Sequence, residues 1–453
     1  MAWKRSRVRV PVAPPLRGLR GFRSMGLHQT EMKKYLRSVV IIILWWQVAR
    51  LRVKYSPVVI GVAGSVGKTS TKTAIAKVLE KKYKVAWQEG NYNDVVSIPL
   101  VFFQRSIPSV FNLFAWMFLF IKNEISIQRG YDYEVVVAEL GTDHAGDMAQ
   151  LRGLLTLDYC VLTAITPEHM AGFTDLDDVA KDELVATELA ENLIIDKEGV
   201  PEKYTEKLSN PITISLNNGD CVIEPGELNK AGREAKFRFE DKFYEVTTKI
   251  IGIHNLSALA FAVTMARILE IDDTSIKVVL ESIEPVNGRM QILDGVNGAI
   301  LIDDTYNSSP KAAISALDTL YELTTKSKIA ILGQMNEMGD FSRQYHQEVG
   351  EYCDPEQLNL VVTIGEDANK YLAEKAEENH CKVIRCSSPY HAGELIKPIL
   401  TKDTAVLVKG SQNSVFAEEA VKLLLNDSSD ETKLVRQSPK WQKIKRRQFR
   451  NVL

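Results

Sequence analysis

The 453-residue chain has no apolar run of bilayer-spanning length, no closely spaced cysteine pair and almost no net charge. Each shortage excludes something. The uncharged core at 38–49 is twelve residues long, against the roughly 20 that a spanning helix needs. A second aromatic-rich stretch at 110–122, VFNLFAWMFLFIK, is equally short. The five cysteines (Cys160, Cys221, Cys353, Cys381, Cys386) are odd in number and contain no CxxC, which argues against a disulfide framework or a structural zinc and for a reducing compartment. A net charge of −2 with 45% hydrophobic residues describes an ordinary globular chain, long enough for two or three domains.

Near-neutrality hides a polarity. Residues 1–38 carry ten Lys/Arg against the single acid Glu31, and residues 433–453 carry eight Lys/Arg and no acid. Such ends suit anionic surfaces, lipid headgroups or nucleic acid, or else they are solvated, disordered tails. For the C-terminal one the tail is the expectation. Residues 1–31 are also rich in Pro and Gly, with internal Met25 and Met32 that leave the translation start open. From Met32 a basic segment enters the apolar core at 38–49 and runs on without a cleavage site into a first strand. It reads as an interfacial helix with Trp45 and Trp46 at headgroup level, or as a helix packed on the protein's own core.

The most informative stretch is 58–73, VVIGVAGSVGKTSTKT. A β-branched run, three glycines and an amphipathic pattern predict strand, glycine loop and helix, the layout that cradles phosphate. Lys68 is placed to reach the outer phosphates and the Thr69 hydroxyl to bind Mg²⁺. Val62 stands at the first glycine of the common pattern, so this is the narrower GxxGxxGKTS form. Apolar runs at 134–140 and 158–165 predict further strands of a parallel sheet. Alternating segments within 211–250, with turns at 217–219 and 225–226, predict a small antiparallel module. Beyond Asn287-Gly288-Arg289 a second doubly wound series begins, with strands near 299–303, 328–332, 359–364, 382–385 and 405–408. Glu139 and His169 follow strands whose ends open beside the glycine loop, where a carboxylate and an imidazole suit a divalent metal.

These motifs, in order, resemble the Mur ligases, ATP-dependent amide-bond-forming enzymes. The resemblance rests on GVAGSVGKTSTK at 61–72, GNYNDVVSIPL at 90–100, AELGTDHAGDM at 138–148, EHMAGF at 168–173 and GIHN at 252–255. It continues with NGR at 287–289, DDTYNSSP at 303–310, LGQMNEMGD at 332–340 with His346, and VKGS at 408–411. It implies an α/β protein: a basic tail and apolar helix at 1–54, a central ATP-binding domain at 55–287, a Rossmann-like C-terminal domain at 288–425 and a basic polar tail at 426–453. It further implies that Gly64, Ser65, Val66, Gly67, Lys68, Thr69 and Ser70 hold ATP phosphates. Thr69 would hold one Mg²⁺, and Glu139 with His169 a second. His254 and Asn255 would contact adenine and ribose, Arg289 the γ-phosphate, Asp304 the nucleotide, and Asn307 the nucleotide or incoming amine.

The implied reaction makes an acyl phosphate from a peptide carboxylate and then an amide, as in the family's D-alanyl-D-alanine-adding branch of cell-wall precursor synthesis. No nucleic-acid partner is implied, and the location is cytoplasmic, with contact to the inner membrane face through 33–50 left open. Three departures qualify the expectation. Where the family carries a carbamoylated lysine this chain has Glu183, with Lys181 two residues earlier; Glu183 supplies a carboxylate directly, and Lys181 is the alternative. The family's N-terminal domain for the UDP-linked substrate has no counterpart in the 56 or so residues before the loop. Gln412 and Gln334 replace the expected arginine and aspartate. A polyglutamate, folate or lipid-linked muramyl-peptide substrate therefore stays open, as does a membrane-anchored nucleotide-binding protein without enzymatic activity.

Overall fold

The computed structural model describes residues 29–450 apart from Asn91, residues 110–111 and Lys207, with side chains from Tyr35 onward. The basic stretch expected at 1–31 lies, up to residue 28, outside the described residues, as does Asn91 of the polar loop. The chain divides into two compact units. One comprises residues 1–165, 180–213 and 265–271, the other 166–179, 214–264 and 272–453.

The first unit begins with helix α1 (Gln29–Tyr55). Strand β1 (Val58–Ala63) follows, then helix α2 (Lys68–Leu79) after the glycine loop. Strand β2 (Val85–Ala86), helices α3 (Ile98–Phe103) and α4 (Leu113–Arg129), and strands β3 (Val135–Glu139), β4 (Leu157–Leu162) and β5 (Ala190–Asp196) complete its framework. The strands lie in the order β2-β3-β1-β4-β5, all parallel. Their continuous apolar sequences are explained by burial on both faces: every residue of β3 is buried, and all but the first of β1. The parallel arrangement sends the ends of β1, β3 and β4 to one edge, which collects the loop at 64–67, Glu139 and Thr163.

In the second unit the strands Cys221–Asn229, Gly232–Phe239 and Lys242–Thr248 form the expected antiparallel meander. A second sheet runs Gln291–Asp294, Ile300–Asp304, Thr404–Lys409, Ser327–Gly333, Leu360–Ile364, Val383–Cys386, parallel except for its first, antiparallel strand. Leu228 and Ile251 of the meander segment join the core of that sheet with Ile302, Leu317 and Leu407. Buried Arg233 reinforces the join, donating to Glu322 at 2.6 Å and to the carbonyls of Gly226 and Ile251. All five cysteines are buried and free. Burial pushes the Cys160 thiol up to about 12, leaving it unreactive.

The C-terminal stretch corrects the expectation of a solvated tail. Pro439–Gln448 is a helix, and its Lys445 is fully buried against Glu418 at 2.8 Å and Glu419 at 2.5 Å. Arg436 pairs with Glu418 at 2.7 Å and donates to the carbonyls of Thr305 and Tyr306. A run of positive charge reads as a tail because its carboxylate partners lie 18 to 27 residues upstream, invisible to local composition. Lys445→Ala strands two buried carboxylates with one fewer cation. The expected loss is about 3–5 kcal/mol, read as a lowered urea midpoint together with earlier proteolytic cutting after Leu434.

Candidate active site

The glycine loop is built for close approach. Gly64 has φ +120°, and a Cβ there would lie 2.4 Å from the Thr163 hydroxyl and 2.8 Å from the Ala164 backbone. Gly67, at φ +86°, caps α2 without a side-chain hydrogen bond, and the first turn of α2 holds no acid. The leading amides of α2 therefore have no intrahelical acceptor and face outward with the positive end of the helix. Thr163 fixes the loop from beneath, donating from its hydroxyl to Val66 O at 2.6 Å, while Ser65 N–H donates to Ala164 O at 2.8 Å. Lys68 folds back on the loop, donating to the carbonyls of Ser65, at 2.8 Å, and Gly64.

At the end of β3, Glu139 is only 3% exposed. The Thr69 hydroxyl donates to its Oε2 at 3.1 Å, and Lys72 Nζ lies 3.0 Å from the same oxygen. Lys72 was not singled out from sequence. The signal was present, since Lys72 follows Lys68 by four residues and so shares its helix face. It also donates to Gly90 O at 3.0 Å, tying α2 to the polar loop. Hydroxyl and carboxylate oxygens side by side are hard donors of the kind Mg²⁺ takes, and the ammonium already marks the place where a cation is favoured.

Glu183 and Lys181 separate clearly. Glu183 is 1% exposed, and its Oε2 accepts the Gly64 N–H at 2.9 Å, whereas Lys181 is exposed. Asp182, also missed from sequence, accepts the amides of Gly146 at 2.8 Å and Met148 at 3.2 Å and the Thr142 hydroxyl, ordering the loop after Glu139. Among the described residues no group of three or more His, Cys, Asp and Glu side chains is placed to hold a metal. The structure thus brings Thr69 and Glu139 together and sets Glu183 on the loop backbone. His169 belongs to the other unit.

In the second unit His169 has φ +53°, and its Nδ1 lies 2.6 Å from Glu337. Asn307 donates to neighbouring Glu168 at 3.2 Å. Asp304 is held by Lys409 at 2.6 Å and accepts the Met290 N–H at 3.2 Å; Lys409 also donates to Asn307 O at 3.0 Å. The Arg289 guanidinium lies 4.3 Å over the Tyr306 ring. Asp303, wholly buried beside Asp304, accepts from the Thr305 amide and hydroxyl, yet burial pushes its carboxyl up to about 7. His346 is structural: its buried Nε2 accepts the Met335 N–H at 2.9 Å and its Nδ1 faces Ser342 O at 2.7 Å. Desolvation lowers its pKa, and the neutral ring holds the loop at 334–340. Gln334 and Gln412, the two departures, lie on loops joined through Asn336, which accepts from Gln334 and donates to Gln412 O. His254 and Asn255 sit in the first turn of the helix Ile253–Ile268, His254 exposed.

Comparison with known proteins gives these arrangements a family. Residues 62–110 and 120–266 match the Mur ligase middle domain, and residues 288–412 match the Mur ligase glutamate ligase domain. The UDP-N-acetylmuramoyl-tripeptide–D-alanyl-D-alanine ligase of Bacillus subtilis (strain 168) is 26% identical over 379 residues, 81% of this chain and 76% of that protein. The Haemophilus influenzae protein of the same name is 24% identical over 326 residues, 70% of this chain and 66% of its own length. The crystal structure of MurF ligase from Thermotoga maritima in complex with ADP superposes with a TM-score of 0.67 at 20% identity, covering 90% of this chain and 87% of that one. With a middle domain and a glutamate ligase domain in succession, on the residues that carry the glycine loop, Glu139 and Asp304, the chain belongs to the Mur ligase family.

Proposed function

We propose that the chain is an ATP-dependent carboxylate–amine ligase that adds D-Ala-D-Ala to a muramyl peptide in cell-wall precursor synthesis. The observation that carries the reading is the Thr69–Glu139–Lys72 cluster against an open glycine loop, in a chain with both Mur ligase domains. The loop amides from Val66 to Ser70, at the N-terminus of α2, receive the ATP phosphates, while the Gly64 and Ser65 amides hold the loop in place through Glu183 and Ala164 O. Lys68 exchanges the carbonyls of Gly64 and Ser65 for phosphate oxygens. Thr69 and Glu139 would hold Mg²⁺, which when bound supplies charge neutralisation at the phosphates. The peptide carboxylate attacks the γ-phosphorus, the bond to ADP breaks, and an acyl phosphate forms. The amine then attacks the acyl carbon and loses a proton, and phosphate leaves with its oxygen.

His254, Asn255, Arg289, Asp304 and Asn307 are assigned to nucleotide and amine by the same reading. Support comes from the way Lys409 and Tyr306 hold Asp304 and Arg289 in fixed positions. His169 enters it as a metal ligand whose ring is oriented by Glu337. The location proposed is cytoplasmic, where ATP is supplied, with peripheral membrane contact through 33–50.

Phosphate release is expected to require a muramyl tripeptide and D-Ala-D-Ala together, and Lys68→Ala is expected to lower it about 100-fold or more. A panel including folate and glutamate substrates decides the acceptor. Release that no muramyl peptide stimulates would overturn the reading. Loss of Glu183 removes the acceptor that fixes the Gly64 amide, so Glu183→Ala should cost about 10–100-fold in turnover. Lys181→Ala and removal of bicarbonate should leave turnover unchanged; sensitivity to either one would instead mean a carbamoylated lysine.

A further inference from the structure

Helices α1 and α4 each carry an apolar side that the core does not use. On α1, Leu44, Trp45, Val48 and Leu51 are buried, while Tyr35, Val39, Ile42 and Trp46 are exposed at spacings of four, three and four residues. On α4, Trp116, Leu119 and Ile127 are buried, while Phe114, Met117, Phe118 and Ile121 are exposed, Phe114 to 81%. The helices are clamped together. Gln47 donates to Phe120 O and accepts from buried Asn123, Arg50 binds Glu124 at 2.7 Å, and Lys54 donates to the carbonyls of Ile127 and Gln128. These partners advance in one direction along both helices, so the pair runs parallel. Each helix gives one side to the core and one flank to its partner, so the two exposed stripes fall on a common outer face.

Cations overlie that face. The Arg50 guanidinium sits 4.5 Å over the Trp46 ring, and the Lys122 ammonium 4.6 Å over the Phe118 ring. Between Met32 and Leu79 the chain has no acidic residue, and α4 has only Glu124, which Arg50 neutralises. No helix among the described residues is long and apolar enough to cross a membrane.

We propose that this two-helix face lies in the interfacial layer of a bilayer that contains anionic lipid. Its aromatic and aliphatic side chains enter the acyl boundary, and its cations meet the headgroups. Charge selects this occupant: Lys122 stacks over Phe118 within the face, and lysine is depleted from packed protein interfaces, whereas anionic headgroups attract it. The proposal does not rest on the ligase reading. It adds a site-bearing unit whose membrane face is fixed by clamped helices rather than by the basic N-terminal residues alone.

The test is co-sedimentation of the full chain with phosphatidylcholine vesicles, with and without phosphatidylglycerol, in low and high salt. Binding is expected to need phosphatidylglycerol, to weaken with salt, and to fall about tenfold or more in the double variant Phe114→Ser, Phe118→Ser. That variant should keep the wild-type melting temperature, a readout independent of any ligase activity. Absence of binding by the wild type would overturn the proposal. So would undiminished binding by the variant, which would assign the contact to the basic N-terminal residues. A wild-type oligomer that the variant dissolves, without lipid binding, would make the face a protein interface instead.

Discussion

A carboxylate buried at the end of a parallel strand must be neutralised, and the first unit is arranged around that requirement at Glu139. Taking the carboxylate out of water costs several kcal/mol unless a cation and hydrogen bonds answer it. Lys72 and Thr69 answer it, and both come from α2, the helix that follows the glycine loop. The pairing therefore fixes the rotation of α2 about its axis. With α2 fixed, its N-terminal amides, Lys68 and the Thr69 hydroxyl all gather at the sheet edge that carries the glycine loop.

The second unit repeats the device on its own sheet. Asp304 ends one strand and Lys409 the adjacent parallel strand, in direct register, and their side chains meet at 2.6 Å. From this pair the loop through Asn307 is held on one side by Lys409. On the other side Arg436 grips the carbonyls of Thr305 and Tyr306. Arg436 is in turn set by buried Glu418, and Glu418 by Lys445 of the C-terminal helix. A segment that composition presents as a polar tail thus supports the loop that carries the candidate nucleotide residues. It explains why those positively charged residues are compatible with burial: each is consumed by a carboxylate inside the fold.

What could be read from sequence were features encoded over short spans. The strand–glycine loop–helix at 58–73, the continuous apolar strands ending at Glu139 and near Ile165, and the alternating meander all have local periods or local turn chemistry. The α/β class, with its parallel sheets and antiparallel module, followed from them. The ion pairs did not, because each joins residues far apart in the chain: Lys72 with Glu139, Asp304 with Lys409, Glu418 with Lys445. Asp182 escaped for the same reason, since nothing in its neighbourhood indicates that its acceptors serve a loop some 36 residues earlier. The helix Leu113–Arg129 shows a subtler limit. Its apolar residues occupy two sides, and composition cannot divide them into a face for the core and a face left outside.

Glu183 stands where the family resemblance implies a carbamoylated lysine, and its shorter arm decides what its carboxylate reaches. A carbamoylated lysine places its carboxylate at the end of four methylenes and can reach well past the backbone that carries it. A glutamate at the same place has two, so its carboxylate stays near its own helix. It finds the loop's first glycine amide, at 2.9 Å, in a site from which water is nearly excluded. That bond is charge-assisted and holds Gly64 at the φ of +120° that a side chain would resist. The carboxylate is then part of the glycine loop's own framework. It lies behind the loop, with Lys68 folded back on the loop from the front. In this chain the carboxylate at 183 comes with the sequence, and it is already engaged by the Gly64 amide.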